Sequence, residues 1–158
     1  MILFALLTYK DLASRLQQIP GLERGSFSLR RFRSHEIRVT IETVVEGKDC
    51  LVLGSLTPPD EYLLATLLLC HTLKKERAAR VVTLFPYLAY MRQDTGAHAE
   101  SAGAAWAGAL LRASGVDQVV TVDIHSQLAR DAIALPVVSL SPATVFAKEI
   151  AKDWIFLS

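Results

Sequence analysis

Two apolar runs, Arg80–Leu84 and Val119–Val122, flank an Ala-rich stretch of helical character. This strand–helix–strand order constrains the fold more than any other feature of the chain. After Leu84 the chain passes through Phe85-Pro86 into a polar elbow, Arg92-Gln93-Asp94, and the second run ends in Asp123 and His125. In an open α/β sheet, ligands collect in the crevice beyond the carboxyl ends of the strands. Two neighbouring strands that each end in charged or hydrogen-bonding side chains therefore point to one site. The side chains there suit a polyanion with its metal.

The alternation extends along the chain. Ile2–Leu7 reads as a strand and Lys10–Gln18 as a helix stopped by Pro20-Gly21. Phe27–Phe32 and Ile37–Glu42 alternate apolar and polar residues, as half-exposed antiparallel ribbons do. Asp49–Leu53 is a short buried strand. Thr57-Pro58-Pro59-Asp60 makes a helix start, with Thr57 as cap, Pro58 in the first turn, and Asp60 and Glu61 near the positive end of the dipole. That helix runs to about Lys75. A loop from Tyr87 to Ala99 follows the Arg80–Leu84 strand, and a helix over Ser101–Ser114 is ended by Gly115. Gly103 and Gly108 cost helix propensity, so close backbone packing is the reason expected for them. Val137–Leu140 is another strand, and Ser141-Pro142 opens a last helix to about Asp153. Ile155–Leu157 is a short apolar stub that either opens a following unit or pairs as a minor edge strand. The pattern specifies an α/β fold: a mainly parallel sheet flanked by helices, with an antiparallel ribbon near Phe27–Glu42.

Composition narrows the function classes. At 158 residues, 51% of them apolar, the chain is long enough to bury one core and is not disordered. Seventeen basic and sixteen acidic residues leave a net charge of +1, so no general attraction to nucleic acid or to an anionic membrane follows. Cys50 and Cys70 sit in apolar settings and read as packed, reduced thiols, which fits a cytoplasmic location. Met1–Leu7 is too short for a secretory core and no basic residue precedes it, so it reads as a first buried strand rather than a signal peptide. Leu63–Cys70, interrupted by Thr66, is far too short to span a bilayer. The chain has no P-loop, no dinucleotide-binding glycine motif, no paired CxxC and no HExxH.

The segment FPYLAYMRQD, then a Ser/Ala-rich helix, then SGVDQVVTVDIHSQ resembles ribose-phosphate pyrophosphokinase (phosphoribosyl pyrophosphate synthetase). That family's motif runs roughly PYFPYARQD, a helix ending LLxxAG, and a strand into DLH. The counterparts here are Phe85–Asp94, Leu110–Gly115 and Asp123-Ile124-His125. Val45-Glu46-Gly47-Lys48-Asp49 resembles the family's VRGKD, and Arg31–Glu36 stands in the place of its RFPDGE. The similarity covers about Phe27 to Ile150. It implies a protein of two similar α/β domains, each related to type I phosphoribosyltransferases. Residues 1–153 then form the amino-terminal ATP-binding-type domain, and 154–158 begin a strand of a second domain. In the family that second domain carries the flexible-loop lysine and arginine and the ribose-phosphate loop.

The resemblance gives Arg92, Gln93 and Asp94 to an ATP site. A guanidinium offers a planar fork of donors matched to phosphate oxygens; the structural alternative is a solvated loop arginine paired with Asp94. Asp123 and His125, two residues apart at a strand end, are expected to face the same way. The resemblance makes them contacts of the Mg²⁺–phosphate assembly. Mg²⁺ prefers oxygen and keeps its waters, so part of the His125 contact is expected through water. The alternative is an aspartate that caps a backbone group and a locally satisfied histidine. Phe32 resembles the phenylalanine that stacks on adenine from a neighbouring subunit; otherwise it is one core residue of a ribbon. Ser34 and Glu36 belong to the same adenine-facing segment. Here the chain departs from the pattern: Ser34 and His35 stand where the family has aspartate and glycine, and only Glu36 is retained. Serine supplies no carboxylate to the adenine amino group, and histidine puts a side chain where glycine lets the backbone turn. His98 is either a substitute donor in its loop or surface decoration. His71 reads as a packed or helix-end residue, and Trp106 and Trp154 as packing residues. Arg30, Arg31 and Arg33 either steer a phosphorylated ligand or solvate a ribbon edge.

What the resemblance implies is the amino-terminal half of a ribose-phosphate diphosphokinase-like, cytoplasmic transferase of nucleotide biosynthesis. It converts Mg-ATP and ribose 5-phosphate to phosphoribosyl pyrophosphate and AMP. The cofactor is Mg²⁺, the partners are ATP, ribose 5-phosphate and further copies in a homo-oligomer, and no catalytic residue is assigned to this half. The isolated chain is expected to be inactive. The competing reading is a non-catalytic regulatory or nucleotide/phosphate-binding homologue that associates with active subunits.

Overall fold

The computed structural model describes residues 1–95 and 101–149. Its centre is a six-stranded parallel sheet in the order β2-β1-β5-β6-β7-β8. The strands are β1 (Ile2–Ala5), β2 (Glu23–Arg24), β5 (Asp49–Leu53), β6 (Arg80–Phe85), β7 (Gln118–Val122) and β8 (Val137–Leu140). β3 (Phe27–Arg31) and β4 (Ile37–Ile41) form a separate antiparallel hairpin. The helices are α1 (Lys10–Leu16), α2 (Glu61–Lys75), α3 (Gly103–Ala113), α4 (Gln127–Ala132) and α5 (Ala143–Glu149). The expected α/β architecture with an antiparallel ribbon is the one observed.

Adjacent strand residues point to opposite faces, and the two faces carry different helices. Phe4, Val52, Val81, Phe85 and Val119 pack with residues of α2, α3 and α4. Leu3 and Leu53, their neighbours in sequence, pack with Ala13 of α1. Leu69 and Leu73 of α2 and Leu111 of α3 lose all contact with water, and each such burial is worth about 1.5–3 kcal/mol relative to exposure. The chain runs from β1 outward to β2, then returns past β1 to lay down β5 and the remaining strands in succession. The strand order therefore reverses between β1 and β5.

Gly108 has the role expected of it: a Cβ there would lie 2.2 Å from the carbonyl oxygen of Ile133, so its absence lets α3 lie against the end of α4. Gly103 makes room for a side chain, since a Cβ would meet Gln93 Oε1 at 2.6 Å. Both cysteines are free and buried, and burial pushes the Cys50 thiol up to about 11 and the Cys70 thiol up to about 12.

Two expectations are corrected, and two elements appear that the sequence reading lacked. Thr57 does not cap α2: the helix begins at Glu61 with Asp60 at the N-cap and no side-chain cap bond. The Thr57 hydroxyl is taken by Ser55, 2.6 Å away. The helix Gln127–Ala132 and the short strand Glu23–Arg24 were not anticipated. Of the two readings for His71, packed or near the helix end, the packed one is set aside: it is exposed in the last turns of α2. The expectations for His98, Trp154, the Ile155–Leu157 stub and residues 154–158 lie outside the described residues. No helix among the described residues is long and apolar enough to cross a membrane.

Candidate functional site

β6 and β7 are direct neighbours, paired from Val82↔Gln118 to Phe85↔Thr121. The Thr121 hydroxyl donates to the Phe85 carbonyl at 2.9 Å, which ties the carboxyl ends of the two strands together. The loops leaving these ends carry the residues singled out by their chemistry.

The β6 loop is pinned from below. Leu88, Ala89 and Met91 are buried. Tyr90 holds a left-handed backbone, φ +70°, a conformation that costs a side-chain-bearing residue about 1–2 kcal/mol. Its ring packs edge-on against Trp106, with centroids 5.2 Å apart, so Trp106 is a packing residue as expected. Gln93 donates its N–H to the Tyr90 carbonyl at 3.1 Å, and its own carbonyl accepts from Ala104 N–H at 3.2 Å. Its side-chain oxygen accepts from the Ser101 hydroxyl at 3.1 Å, in the space that Gly103 leaves open. Arg92 stands exposed between these anchors. Among the described residues it has no ion-pair partner, and Asp94 does not pair with it.

Asp94 turns toward the β7 loop instead. Its carboxylate accepts from the Ser126 hydroxyl at 2.5 Å. That bond is the main reason its carboxyl is held below the usual aspartate range; desolvation opposes the shift, and the charge of His125 adds a smaller pull in the same direction. Ser126 also caps α4, accepting from Ala129 N–H at 2.9 Å. One hydroxyl thus joins the two loops and starts a helix. Asp123 donates its N–H to the Leu140 carbonyl at 3.0 Å, and Ile124 N–H donates to the Ser139 hydroxyl at 3.0 Å, so the β7 loop is held to β8.

The expected common facing of Asp123 and His125 does not follow from strand alternation. β7 ends at Val122, and Asp123 has φ +49°, so the two-residue period stops before it. Both side chains are exposed. The two loops do converge, with Asp94 in hydrogen-bond contact with Ser126 and within electrostatic reach of His125. A guanidinium and an imidazole stand exposed on the loops leaving adjoining strand ends, and both are groups that can donate to phosphate oxygens.

Among the described residues no group of three or more histidine, cysteine, aspartate or glutamate side chains gathers as a metal cage. This donor set fits Mg²⁺ only as a cation brought in with a polyphosphate. Magnesium keeps several waters and is commonly held by one or two carboxylates plus substrate phosphates. Asp123 and His125 can meet such an assembly from the outside.

The other expected contacts, Phe32, Ser34 and Glu36, are at the end of the β3–β4 hairpin. Phe32 is 51% exposed at its tip. The tip is closed by Phe32 N–H to Glu36 O and His35 N–H to Phe32 O, each 3.0 Å. His35 takes φ +68°, the conformation for which glycine is favoured, so the turn forms with histidine in place. The Ser34 hydroxyl donates to Glu36 Oε2 at 2.6 Å. Arg31 pairs with Glu61 at the start of α2 and donates to the His35 carbonyl at 2.8 Å, so it braces the ribbon. Among the described residues, no hydrogen bond or ion pair links Phe32, Ser34 or Glu36 to the Arg92 or His125 loops. Sequence reasoning missed Ser126. A serine directly before the helix-compatible run Gln127–Arg130 was the signal that would have found it as a cap.

Comparison with known proteins identifies the family. Residues 1–115 match the family model described as the N-terminal domain of ribose phosphate pyrophosphokinase. Ribose-phosphate pyrophosphokinase 1 of Streptococcus pneumoniae is 36% identical over 147 residues, which is 92% of this chain and 46% of that protein. The Streptococcus agalactiae protein of the same name is 33% identical over the same coverage. The crystal structure of phosphoribosylpyrophosphate synthetase from Mycobacterium smegmatis superposes with a TM-score of 0.88 at 27% identity, covering 96% of this chain and 52% of that one. The chain thus spans about half the length of the relatives it matches. On the family match and the shared fold, the chain belongs to the ribose-phosphate pyrophosphokinase family and corresponds to its amino-terminal domain.

Proposed function

We propose that this chain is the nucleotide-binding half of a ribose-phosphate diphosphokinase. Such an enzyme moves the diphosphoryl group of Mg-ATP onto the anomeric hydroxyl of ribose 5-phosphate. The observation that carries the reading is the convergence of the Arg92 and His125 loops through Asp94 and Ser126. In the reaction the anomeric oxygen attacks the β-phosphorus. The bond from that phosphorus to the α,β-bridging oxygen breaks, AMP leaves with the electron pair, and the hydroxyl proton passes to solvent. Catalysis of this kind rests on positioning and on neutralising charge. Arg92 and Gln93 hold the triphosphate, Asp94 orients the loop between them and α4, and Asp123 and His125 meet the hydrated Mg²⁺ that the nucleotide carries. The sugar phosphate binds on the part of the relatives' length that this chain does not span. In a cytoplasmic homo-oligomer, Phe32 of one subunit stacks on the adenine held by its neighbour, with Ser34 and Glu36 at the ring edge.

Calorimetry with Mg-ATP tests this reading: saturable binding is expected, and Arg92→Ala weakens it by about tenfold or more, the value of a charge-assisted hydrogen bond. The 158-residue chain alone is expected to release no AMP in a coupled assay with ribose 5-phosphate. Binding that ignores the Arg92 substitution, or robust turnover by this chain, overturns it. One observation favours a second reading, a regulatory homologue: Ser34 replaces a carboxylate and spends its hydroxyl on Glu36, which reduces the free acceptors facing a purine. Absence of heat with any adenine nucleotide selects that alternative.

A further inference from the structure

We propose that the cleft at the carboxyl end of β1 is a second small-molecule site, independent of the nucleotide site, for a small amphipathic anion: an apolar or aromatic body bearing one acidic group. Three observations converge on it. The first is topological. Ligands in open α/β sheets favour the crevice where the strand order reverses. That reversal lies between β1 and β5, whereas Arg92 and His125 stand at the ends of β6 and β7. The switch-point crevice is left over by the site already described.

The second is shape. A cavity of about 750 Å³ opens there, bounded by the Leu6–Thr8 segment, α1, the β3–β4 hairpin and the first turn of α2. This is within the size range of drug-sized ligand pockets. Its apolar surface comes from Leu3, Phe27, Leu29 and Ile37. Leu7, on the same lining, is 91% exposed, and Leu29 is 40% exposed. An apolar ligand body would take both side chains out of water.

The third is charge. Four charged side chains line the cavity: Lys10, Arg24, Arg31 and Glu61. Arg31 and Glu61 neutralise each other. Lys10, on α1, and Arg24, on β2, have no ion-pair partner among the described residues. They approach from two different elements, so the cavity carries a surplus of two positive charges beside an apolar wall. A neutral ligand would not use them, and a cation would be repelled.

The test is a ¹⁵N-edited NMR titration of the 158-residue chain with 1-anilinonaphthalene-8-sulfonate, an aromatic body with one sulfonate. Saturable shifts are expected in the amides of the Leu6–Lys10, Arg24–Leu29 and Glu61–Tyr62 segments. The double change Lys10→Glu with Arg24→Glu weakens binding by about tenfold or more. Ser14→Trp, at an exposed position of α1 that lines the cavity, blocks it while the rest of the spectrum is retained. Arg92→Ala leaves it unchanged, which separates this site from the nucleotide reading. The proposal is overturned by shifts that fail to saturate, by shifts centred on the exposed Val138 and Leu140 of β8, or by binding that survives both the charge reversal and Ser14→Trp.

Discussion

Ser126→Ala removes two bonds from one atom, and the structure separates their consequences. The first is the cap: Ala129 N–H loses its acceptor at 2.9 Å. Loss of a serine cap costs about 1 kcal/mol, and α4 has only six residues over which to absorb it. For a domain of this size that lowers the melting temperature by about 2–4 °C. The second is the bond to Asp94, whose carboxyl is then released upward toward its ordinary value of 3.8. The folded value lies below the unfolded one, so this contact stabilises the fold fully above pH 3.8 and is lost as pH falls through the depressed value. Ser126→Ala should therefore lose the part of its acid sensitivity that belongs to Asp94. Ser126→Asp is the informative partner. Aspartate caps as well as serine, so α4 should keep its stability, while the new carboxylate repels Asp94 and parts the two loops. Thermal melts at pH 7 and NMR titration of the Asp94 carboxyl read the two effects independently. If Ser126→Ala leaves both the melting temperature and the Asp94 titration unchanged, the latch between the loops has no energetic content and the reasoning fails.

Two further substitutions probe close contacts. Gly108→Ala places a methyl group 2.2 Å from the Ile133 carbonyl oxygen; the backbone must move, and denaturant unfolding should show a loss of about 2–3 kcal/mol despite alanine's better helix propensity. His35→Gly relieves a left-handed histidine at φ +68°, worth about 1–2 kcal/mol, against about 0.5–1 kcal/mol for the greater freedom of glycine when unfolded; a small net gain in urea stability is expected, and a loss would mean that the histidine side chain supports the turn.

The sheet was legible because runs such as Val81-Val82-Thr83 and Val119-Val120-Thr121 combine β-branched residues with a length too short for helices. The elements that escaped notice are those with little apolar signal of their own. Glu23–Arg24 is a strand only because β1 is there to pair with it. Gln127–Ala132 is short and takes its start from a serine that also serves another loop. The Thr57 cap failed because the helix starts later than expected, at Glu61 with Asp60 at the N-cap, which leaves the Thr57 hydroxyl to meet Ser55. Of the candidate site, the residue types and their order were readable, since Arg92, Gln93, Asp94, Asp123 and His125 follow two recognisable strands. Their mutual arrangement was not. It rests on one contact between residues 32 apart in sequence, Asp94 and Ser126. It also rests on a left-handed Asp123 that cancels strand periodicity where the site begins.

That last point bears on how a chain this apolar presents a polar site at all. Left-handed backbone is tolerated at Tyr90 and Asp123 because each residue is held by neighbours that gain more than the strain costs. Tyr90 lies between buried Ala89 and Met91, and Asp123 is tied by its N–H to Leu140 and followed by the Ile124 bond to Ser139. The strain turns the chain outward directly after a buried segment, so Arg92 is displayed within two residues of core-packed side chains. On such a base the backbone of Arg92 is already ordered when it meets an anion, so only side-chain freedom is lost, whereas on a free loop the backbone must be ordered as well. The hairpin is seated by packing: Phe27, Val39 and Ile41 lie against the core, Phe27 meets Phe4 edge-on with centroids 6.1 Å apart, and Arg31 ties its end to Glu61, while Phe32 projects from a tip closed by its own hydrogen bonds. The triphosphate end of the proposed site is thus built within one chain, while Phe32 stands exposed at the hairpin tip with no bond to the Arg92 or His125 loops among the described residues, which is the reason to look for the proposed adenine stacking where two copies come together.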